Sequence, residues 1–323
     1  MKGYEYYKPK TIEEAMHLMN TLDGAQYIAG GTDVMVLIKK KKLLPLNLIS
    51  LRNIDELSYM DTTNGLKIGS ATTHSGIVQN EFIKDHYAAL FDAVSNIGST
   101  QVRNVGTIGG NICNAAPSAD TACPLLVFDA NVLLTGEKGE HEISFDTFLL
   151  GPNKVALEKG EIVKGIRLPA LGENTGSAYM KHTRRRAMEL PIVGIAARAS
   201  VDLNGRGAGW KEAFAKMKNQ ADILKTIEAE KLVCQDARLA MSVVAPRPVR
   251  AKKAEKMLNG KIISEGLLDE VSEMAATESQ PRDSIRGQAW YRREMVRVLT
   301  KRAILTVLER IITSHDARHQ GNA

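Results

Sequence analysis

The stretch VRNVGTIGGNICNAAPSADTACPLL, from Val102 to Leu126, contains a glycine pair between hydroxyl and amide side chains. Thr107 precedes the pair, Gly109 and Gly110 form it, and Asn111 follows. Glycine lets a backbone approach a ligand closely because no Cβ intervenes, and successive N–H groups favour an anion. A glycine pair of this kind is more often only a turn. We predict a loop over residues 98–111 that binds phosphate.

A second glycine pair lies in IAGGTDV, from Ile28 to Val34. A predicted buried strand, residues 25–29, leads into Gly30 and Gly31, and a predicted helix follows them. Thr32 adds a hydroxyl donor, and Asp33 is expected to cap the helix. The pattern is not GxGxxG, so it does not predict a Rossmann site. From the chemistry of a diphosphate, we predict that the two glycine segments meet at the two phosphates of one dinucleotide.

An acidic residue follows the first glycine pair in Ser118-Ala119-Asp120. Carboxylates beside nucleotide loops commonly accept hydrogen bonds from ribose hydroxyls. Asp120 is equally well placed to cap a short helix predicted over residues 121–128. Both interpretations stay open.

The bulk composition narrows the class of protein. The chain has 323 residues, a net charge of +6 and 5% aromatic residues, and so few aromatics argue against a base-stacking surface for nucleic acid. No apolar run is long enough to span a membrane, and the first residues lack the apolar core of a signal peptide. We therefore expect a cytoplasmic protein.

Reactive motifs are missing from the sequence. Cys113, Cys123 and Cys234 match no zinc or iron–sulfur framework. GxSxG, HExxH and GxxxxGK[ST] are absent. Phosphate-binding segments without a nucleophile or a set of acid and base residues are typical of a protein whose cofactor performs the chemistry.

One amphipathic stripe stands apart from these segments. Its apolar residues recur at spacings of three and four, as on one face of a helix: Trp210, Phe214, Met217, Ala221 and Leu224. Such a stripe usually packs on the protein's own core, and the alternative is a helix that docks a partner subunit.

Several segments, in this order, carry a resemblance. They are AGGTD at Ala29–Asp33, ATTH at Ala71–His74, the opening stretch, EIVKGIRLP at Glu161–Pro169, SAYMKHTRRRAMELPIVGIAA at Ser177–Ala197, VVAPRPVRA at Val243–Ala251 and YRREMVRVLTKRAI at Tyr291–Ile304. Together they resemble the FAD-binding medium subunit of the xanthine dehydrogenase and carbon monoxide dehydrogenase family of molybdenum hydroxylases. The likeness covers nearly the whole chain.

The resemblance implies an α+β fold. A two-part FAD-binding domain of the PCMH or vanillyl-alcohol-oxidase-like type is expected over residues 1–173, with parts at about 1–58 and 59–173. A smaller domain, a three-stranded sheet with helices, is expected over 177–290, with an insertion at 206–230. A helix and tail complete the chain at 291–323.

The resemblance also implies a set of FAD-binding residues and no catalytic or metal-binding residue. They are Ala29, Gly30, Gly31, Thr32, Asp33, Val34, Thr73, Ile97, Thr107, Gly109, Gly110, Asn111, Asp120, Val163, Tyr179 and Lys181. The two glycine segments would hold the diphosphate, and Asp120 the ribose or adenine side. Ile97, Val163, Tyr179 and Lys181 would contact the flavin ring.

In such proteins, a molybdopterin subunit hydroxylates the substrate and reduces two-iron two-sulfur clusters on a small subunit. The flavin takes those electrons and passes them to NAD or another acceptor. The resemblance therefore implies a three-subunit assembly with molybdopterin and iron–sulfur clusters on the partners. The run Arg184-Arg185-Arg186-Ala187-Met188 lacks the acidic residues common in NAD-using relatives, which leaves the acceptor open. The alternatives are a self-contained FAD-dependent reductase of the same fold and an assembly subunit without flavin.

Overall fold

The computed structural model describes residues 3–185, 187–203 and 220–320. The first part is a three-stranded parallel sheet in the order β1-β3-β2. Parallel neighbours need crossover connections, and two helices provide them. In chain order the elements are β1 (Glu5–Tyr7), α1 (Ile12–Thr21), β2 (Ala25–Ile28), α2 (Val34–Lys39) and β3 (Asn47–Ser50).

The second part is a five-stranded antiparallel sheet in the order β4-β5-β10-β6-β7, with short helices beside it. Its strands are β4 (Met60–Asp61), β5 (Leu66–Gly69), β6 (Asn131–Gly136), β7 (Gly139–Ser144) and β10 (Ile162–Leu168), and a separate pair is β8 (Leu149–Gly151) and β9 (Lys154–Val155). The helices are α3 (His74–Val78), α4 (Glu81–His86), α5 (Ala88–Ser95), α6 (Thr100–Val105), α7 (Ile108–Asn114), α8 (Ala122–Val127) and α9 (Phe145–Phe148).

The loop predicted over residues 98–111 is wrong, because α6 and the start of α7 occupy it. Side-chain caps explain both helices. Ser99 accepts a hydrogen bond from the N–H of Val102, and Thr107 accepts one from the N–H of Gly110. These caps satisfy N–H groups that a helix leaves unpaired at its start, and they offset the low helix propensity of two adjacent glycines.

The third part is an antiparallel sheet in the order β11-β12-β13-β14. Its elements are β11 (Thr175–His182), β12 (Val193–Val201), α10 (Gln220–Ala229), β13 (Cys234–Ser242), β14 (Val249–Arg250), α11 (Lys252–Leu258), α12 (Glu265–Glu278) and α13 (Ala289–Gln320). Three strands are long, as expected, and β14 adds a fourth of two residues. Val249 and Arg250 pair with β13, so the helix that follows begins only at Lys252.

The amphipathic stripe is only partly visible. Trp210, Phe214 and Met217 lie outside the described residues. In α10, Leu224 is buried in the core of the third part, whereas Ala221 is exposed. Packing on the protein's own core accounts for Leu224, and docking of a partner stays a prediction.

Arg310 of α13 ties the third part to the second. Its guanidinium donates to both carboxylate oxygens of Asp92 in α5, at 2.7 and 3.0 Å, and to the carbonyl of Ser177. The same carboxylate accepts a hydrogen bond from the N–H of Tyr179 in β11. Bidentate pairs of this kind fix orientation as well as distance, so β11 is held against α5. No described helix combines the length and the apolar character that a membrane span requires.

Candidate functional site: a cofactor cavity

A cavity of about 690 Å³ opens where the three parts of the chain meet. All of the predicted FAD-binding residues except Thr73 and Tyr179 line it. The lining therefore combines the turn after β2, the start of α7, strand β10 and one residue of β11. Along the sequence, these segments lie up to about half of the chain length apart.

The turn after β2 presents unpaired backbone donors. Gly31 has a φ of +71°, a conformation that glycine adopts without strain. The N–H groups of Gly31, Thr32 and Asp33 donate no hydrogen bond to any part of the chain that the structure describes. A row of free N–H groups in one turn is a site for an anion.

Asp33 does not cap α2 with its side chain, contrary to the prediction. Its backbone is in the right-handed helical region, with φ −102° and ψ −47°, whereas a capping residue normally has an extended backbone. The carboxylate lines the cavity instead, and burial raises its pKa above the ordinary value.

The start of α7 differs from the predicted phosphate loop. The N–H of Ile108 donates to the carbonyl of Thr72, that of Gly109 to Ser70, and that of Gly110 to the Thr107 hydroxyl. These donors are therefore used within the chain. Helix α7 instead contributes Gly110, which has no side chain, and the amide of Asn111 to the cavity wall. The Oδ1 of that amide accepts a hydrogen bond from Thr121 at 2.5 Å, which leaves its NH₂ group as a donor.

The two glycine segments do come together, as predicted. A Cβ added to Gly30 would lie 2.6 Å from the carbonyl carbon of Val105 and 2.9 Å from the Cα of Gly106, and closer still to the Val105 oxygen. Gly109 is equally confined, because its Cβ would lie 2.7 Å from the carbonyl oxygen of Ser70. These two glycines are required by backbone-to-backbone contact within the protein.

A buried ion pair lies elsewhere in the cavity wall. The ammonium of Lys181 is 2.8 Å from Asp120 and also donates to the carbonyl of Asn96 at 3.0 Å. Burial raises the pKa of Asp120, and Lys181 together with the hydrogen bond from Tyr179 opposes that shift. Asp120 does not cap α8; Thr121 holds the capping position and makes no capping hydrogen bond.

This contact bears on the two predicted roles. The resemblance implies that Asp120 lies at the ribose or adenine side of FAD and Lys181 at the flavin ring, which are opposite ends of the molecule. The two side chains lie 2.8 Å apart, and their roles toward FAD stay predictions.

Tyr179 and Thr73 do not line the cavity. Tyr179 and Lys181 lie on the same face of β11, because alternate residues of a strand do. The Tyr179 hydroxyl is buried and donates to Asp120 at 2.7 Å, so it stabilises the carboxylate of the ion pair. Thr73 caps α3 by accepting from the N–H of Gly76, and it forms an isolated bridge with Thr107.

Some residues of the wall are not among the FAD-binding residues predicted from the sequence. His74, Met188, Glu189 and Leu190 line the cavity. Glu189 is held by the guanidinium of Arg184 at 3.0 Å and by the N–H of Arg185 at 2.7 Å. These residues belong to motifs that the resemblance rests on, and that position in the motifs was the only sequence signal for them.

His74 makes the stability of the flavin-free chain depend on pH. Burial and the nearby charge of Arg103 lower the pKa of His74 from 6.5 to about 4. The unfolded chain thus takes up a proton near pH 6.5 that the folded chain takes up only near pH 4, so stability falls as the pH falls between these values. We expect His74 to account for a loss of about 2 kcal/mol between pH 7 and pH 5.

Urea unfolding of the wild type and of His74→Gln at pH 7 and pH 5 measures this loss. The variant should lose less stability than the wild type. An equal loss in both chains contradicts the assignment to His74.

Comparison with known proteins agrees with this architecture. The family model described as the FAD binding domain in molybdopterin dehydrogenase matches residues 2–171, and that of the CO dehydrogenase flavoprotein C-terminal domain matches residues 178–307. The chain is 31% identical over 302 residues to the xanthine dehydrogenase FAD-binding subunit of Escherichia coli O157:H7, covering 93% of this chain and 94% of the relative.

Two further relatives are similar over almost their whole length. The glyceraldehyde dehydrogenase medium chain of Sulfolobus acidocaldarius is 31% identical over 305 residues, which cover 94% of this chain and 98% of that one. A structure of carbon monoxide dehydrogenase from Hydrogenophaga pseudoflava superposes with a TM-score of 0.82 at 27% identity, covering 95% of this chain and 98% of the other. This chain therefore belongs to the family of FAD-binding medium subunits of the molybdenum hydroxylases, which are FAD-dependent oxidoreductases.

Proposed function

We propose that this chain holds FAD in the cavity and passes electrons between iron–sulfur clusters of a small partner subunit and an external acceptor such as NAD. The molybdopterin-binding large subunit of the same cytoplasmic complex would supply those electrons. The observation that carries the proposal is one cavity with free backbone donors at the Gly31–Asp33 turn and a buried Asp120–Lys181 pair beside apolar side chains.

The turn after β2 fits the diphosphate of FAD. Its three N–H groups, which donate to no described residue, supply donors to anionic oxygens without requiring a basic side chain. The amide of Asn111 adds a side-chain donor from the second glycine segment. Contact of Gly30 with Val105 and Gly106 brings the two segments to the same place.

The Asp120–Lys181 pair fits the polar edge of the flavin ring. That edge carries one N–H group between two carbonyl groups, and a carboxylate beside an ammonium can accept from the first and donate to the second. Ile97 and Val163 supply apolar walls, and the Asn96 carbonyl that Lys181 contacts directly precedes Ile97. Bound FAD supplies one- and two-electron transfer, and these residues bind and orient it.

The visible absorption spectrum tests this function. We expect the purified chain to show flavin bands near ~375 and ~450 nm and to release FAD on denaturation. Iron–sulfur absorbance should be present only when the chain is purified with the products of neighbouring genes, and those clusters should reduce its flavin. Absence of flavin from both preparations contradicts the proposal and favours an assembly subunit. Turnover of an organic substrate by the isolated chain with NADPH favours a self-contained reductase.

A substitution at Gly110 should weaken FAD binding without affecting folding. Its added Cβ meets only the Thr107 hydroxyl, at 3.1 Å, and otherwise points into open space at the cavity. We expect Gly110→Leu to fold normally and to bind FAD at least about 100-fold more weakly, because the side chain fills ligand space. The matched control is Gly266→Leu in α12, where a Cβ meets nothing. FAD affinity equal to the wild type in Gly110→Leu shows that the ligand lies elsewhere.

A further inference from the structure

Neither ring nitrogen of His74 makes a hydrogen bond to a residue that the structure describes. The residue begins α3, its side chain is 2% exposed and it lines the cavity. Nδ1 is fully buried and has no hydrogen-bond partner in the described part of the chain. Nε2 also makes no hydrogen bond to a described residue, but it is not fully buried. It is therefore the nitrogen that faces the cavity.

The unpaired Nδ1 indicates which nitrogen carries the proton. A neutral imidazole has one N–H donor and one acceptor. Buried donors without a partner are rarer in proteins than buried acceptors without one, so the lower-energy tautomer leaves Nδ1 unprotonated. Burial and Arg103 keep the ring neutral, since they lower its pKa to about 4. The ring therefore points an N–H donor, at Nε2, into the cavity.

His74 lies at the junction of the two glycine segments. Its N–H donates to the carbonyl of Gly106 at 2.9 Å. A Cβ on Gly106 would lie 3.2 Å from Cδ2 and 3.7 Å from Nε2 of the imidazole. Gly106 is also the residue that Gly30 contacts. The turn after β2 and the His74 ring therefore both adjoin Gly106, and both line the cavity.

We propose that neutral His74 binds FAD by donating a hydrogen bond from Nε2–H to an oxygen of the diphosphate. This inference rests on the proposed position of the diphosphate at the glycine segments. It adds a side-chain donor to a site otherwise made of backbone N–H groups and one amide. It also gives Nε2 a partner whenever FAD is bound.

Three substitutions distinguish the two ring nitrogens. The amide of His74→Gln reaches the position of Nε2, that of His74→Asn reaches only the position of Nδ1, and His74→Leu has no donor. We expect the Gln variant to bind FAD within about threefold of the wild type, and the Asn and Leu variants to bind about 10- to 100-fold more weakly, as for loss of a hydrogen bond to a charged group. Thermal unfolding of each flavin-free variant checks that it folds.

Equal affinity of the Asn and Gln variants, or wild-type affinity of the Leu variant, overturns the proposal. A wild-type chain that binds no FAD refutes the proposed function instead, so the two failures are distinguishable. Ring ¹⁵N NMR of the wild type gives an independent readout. We expect the Nε2–H tautomer in the flavin-free and the FAD-loaded chain; an Nδ1–H tautomer or an imidazolium in the loaded chain overturns the proposal.

Discussion

Replacing Gly30 with alanine is expected to destabilise the protein by more than about 3 kcal/mol and to abolish FAD retention, because the new methyl group collides with main chain. The Cβ would lie 2.6 Å from the carbonyl carbon of Val105 and 2.9 Å from the Cα of Gly106. Neither atom is the end of a flexible side chain, so one glycine segment must move away from the other. Urea unfolding of the flavin-free chain and the flavin content after purification measure the two effects.

Gly110→Ala is the matched control for this change. The same added methyl group meets only a hydroxyl, at 3.1 Å, so the stability of the flavin-free chain should change by less than about 1 kcal/mol. A Gly30→Ala variant as stable as Gly110→Ala means that the two glycine segments do not hold each other in solution.

Lys181→Met is expected to cost about 3–5 kcal/mol of stability at pH 7, because it leaves the Asp120 carboxylate buried without its counter-charge. The side chains of the pair are only 9% and 8% exposed, so water cannot replace the lost ammonium. The Tyr179 hydroxyl remains as a donor to Asp120, but a neutral donor does not compensate a buried charge.

Asp120→Asn combined with Lys181→Met tests whether the loss comes from the unpaired charge. The double variant should recover much of the stability, while FAD affinity should stay low because neither the carboxylate nor the ammonium remains at the proposed flavin edge. A double-mutant cycle gives the coupling energy. Coupling near zero contradicts the ion pair, and full FAD affinity in the double variant contradicts its assignment to the ring edge.

The sequence predicted most of the regular structure, because local patterns determine it. Thr11 and Glu14 have the spacing of a capping box, and Thr11 accepts a hydrogen bond from the N–H of Glu14. Strands β5, β11 and β12 follow from short runs of apolar residues bounded by turns. The failure at α7 has the opposite cause: two glycines lower helix propensity, and a cap together with contacts to Ser70 and Thr72 overrides that preference.

The sequence predicted residues of the candidate site, but it did not predict the contacts between them. Glycine pairs indicate that the backbone approaches another group closely. The sequence does not show whether that group is a ligand or another segment of the protein. Gly30 illustrates this limit, since its immediate neighbour is Val105. Asp120 precedes α8 and Lys181 lies in β11, 61 positions later, and no local spacing rule joins them. His74 belongs to the ATTH segment of the resemblance, but its unpaired ring nitrogen is visible only in three dimensions.

The position of Lys181 on β11 has a consequence for biogenesis. Every other predicted FAD-binding residue that lines the cavity lies before residue 164, whereas Lys181 comes from the strand that opens the third sheet. A nascent chain therefore lacks one wall of its cofactor pocket until that sheet has been synthesised and docked. FAD at 100 times its dissociation constant would then favour the docked chain by about 2.7 kcal/mol. In the proposed site, FAD would thus stabilise only chains whose third sheet has docked.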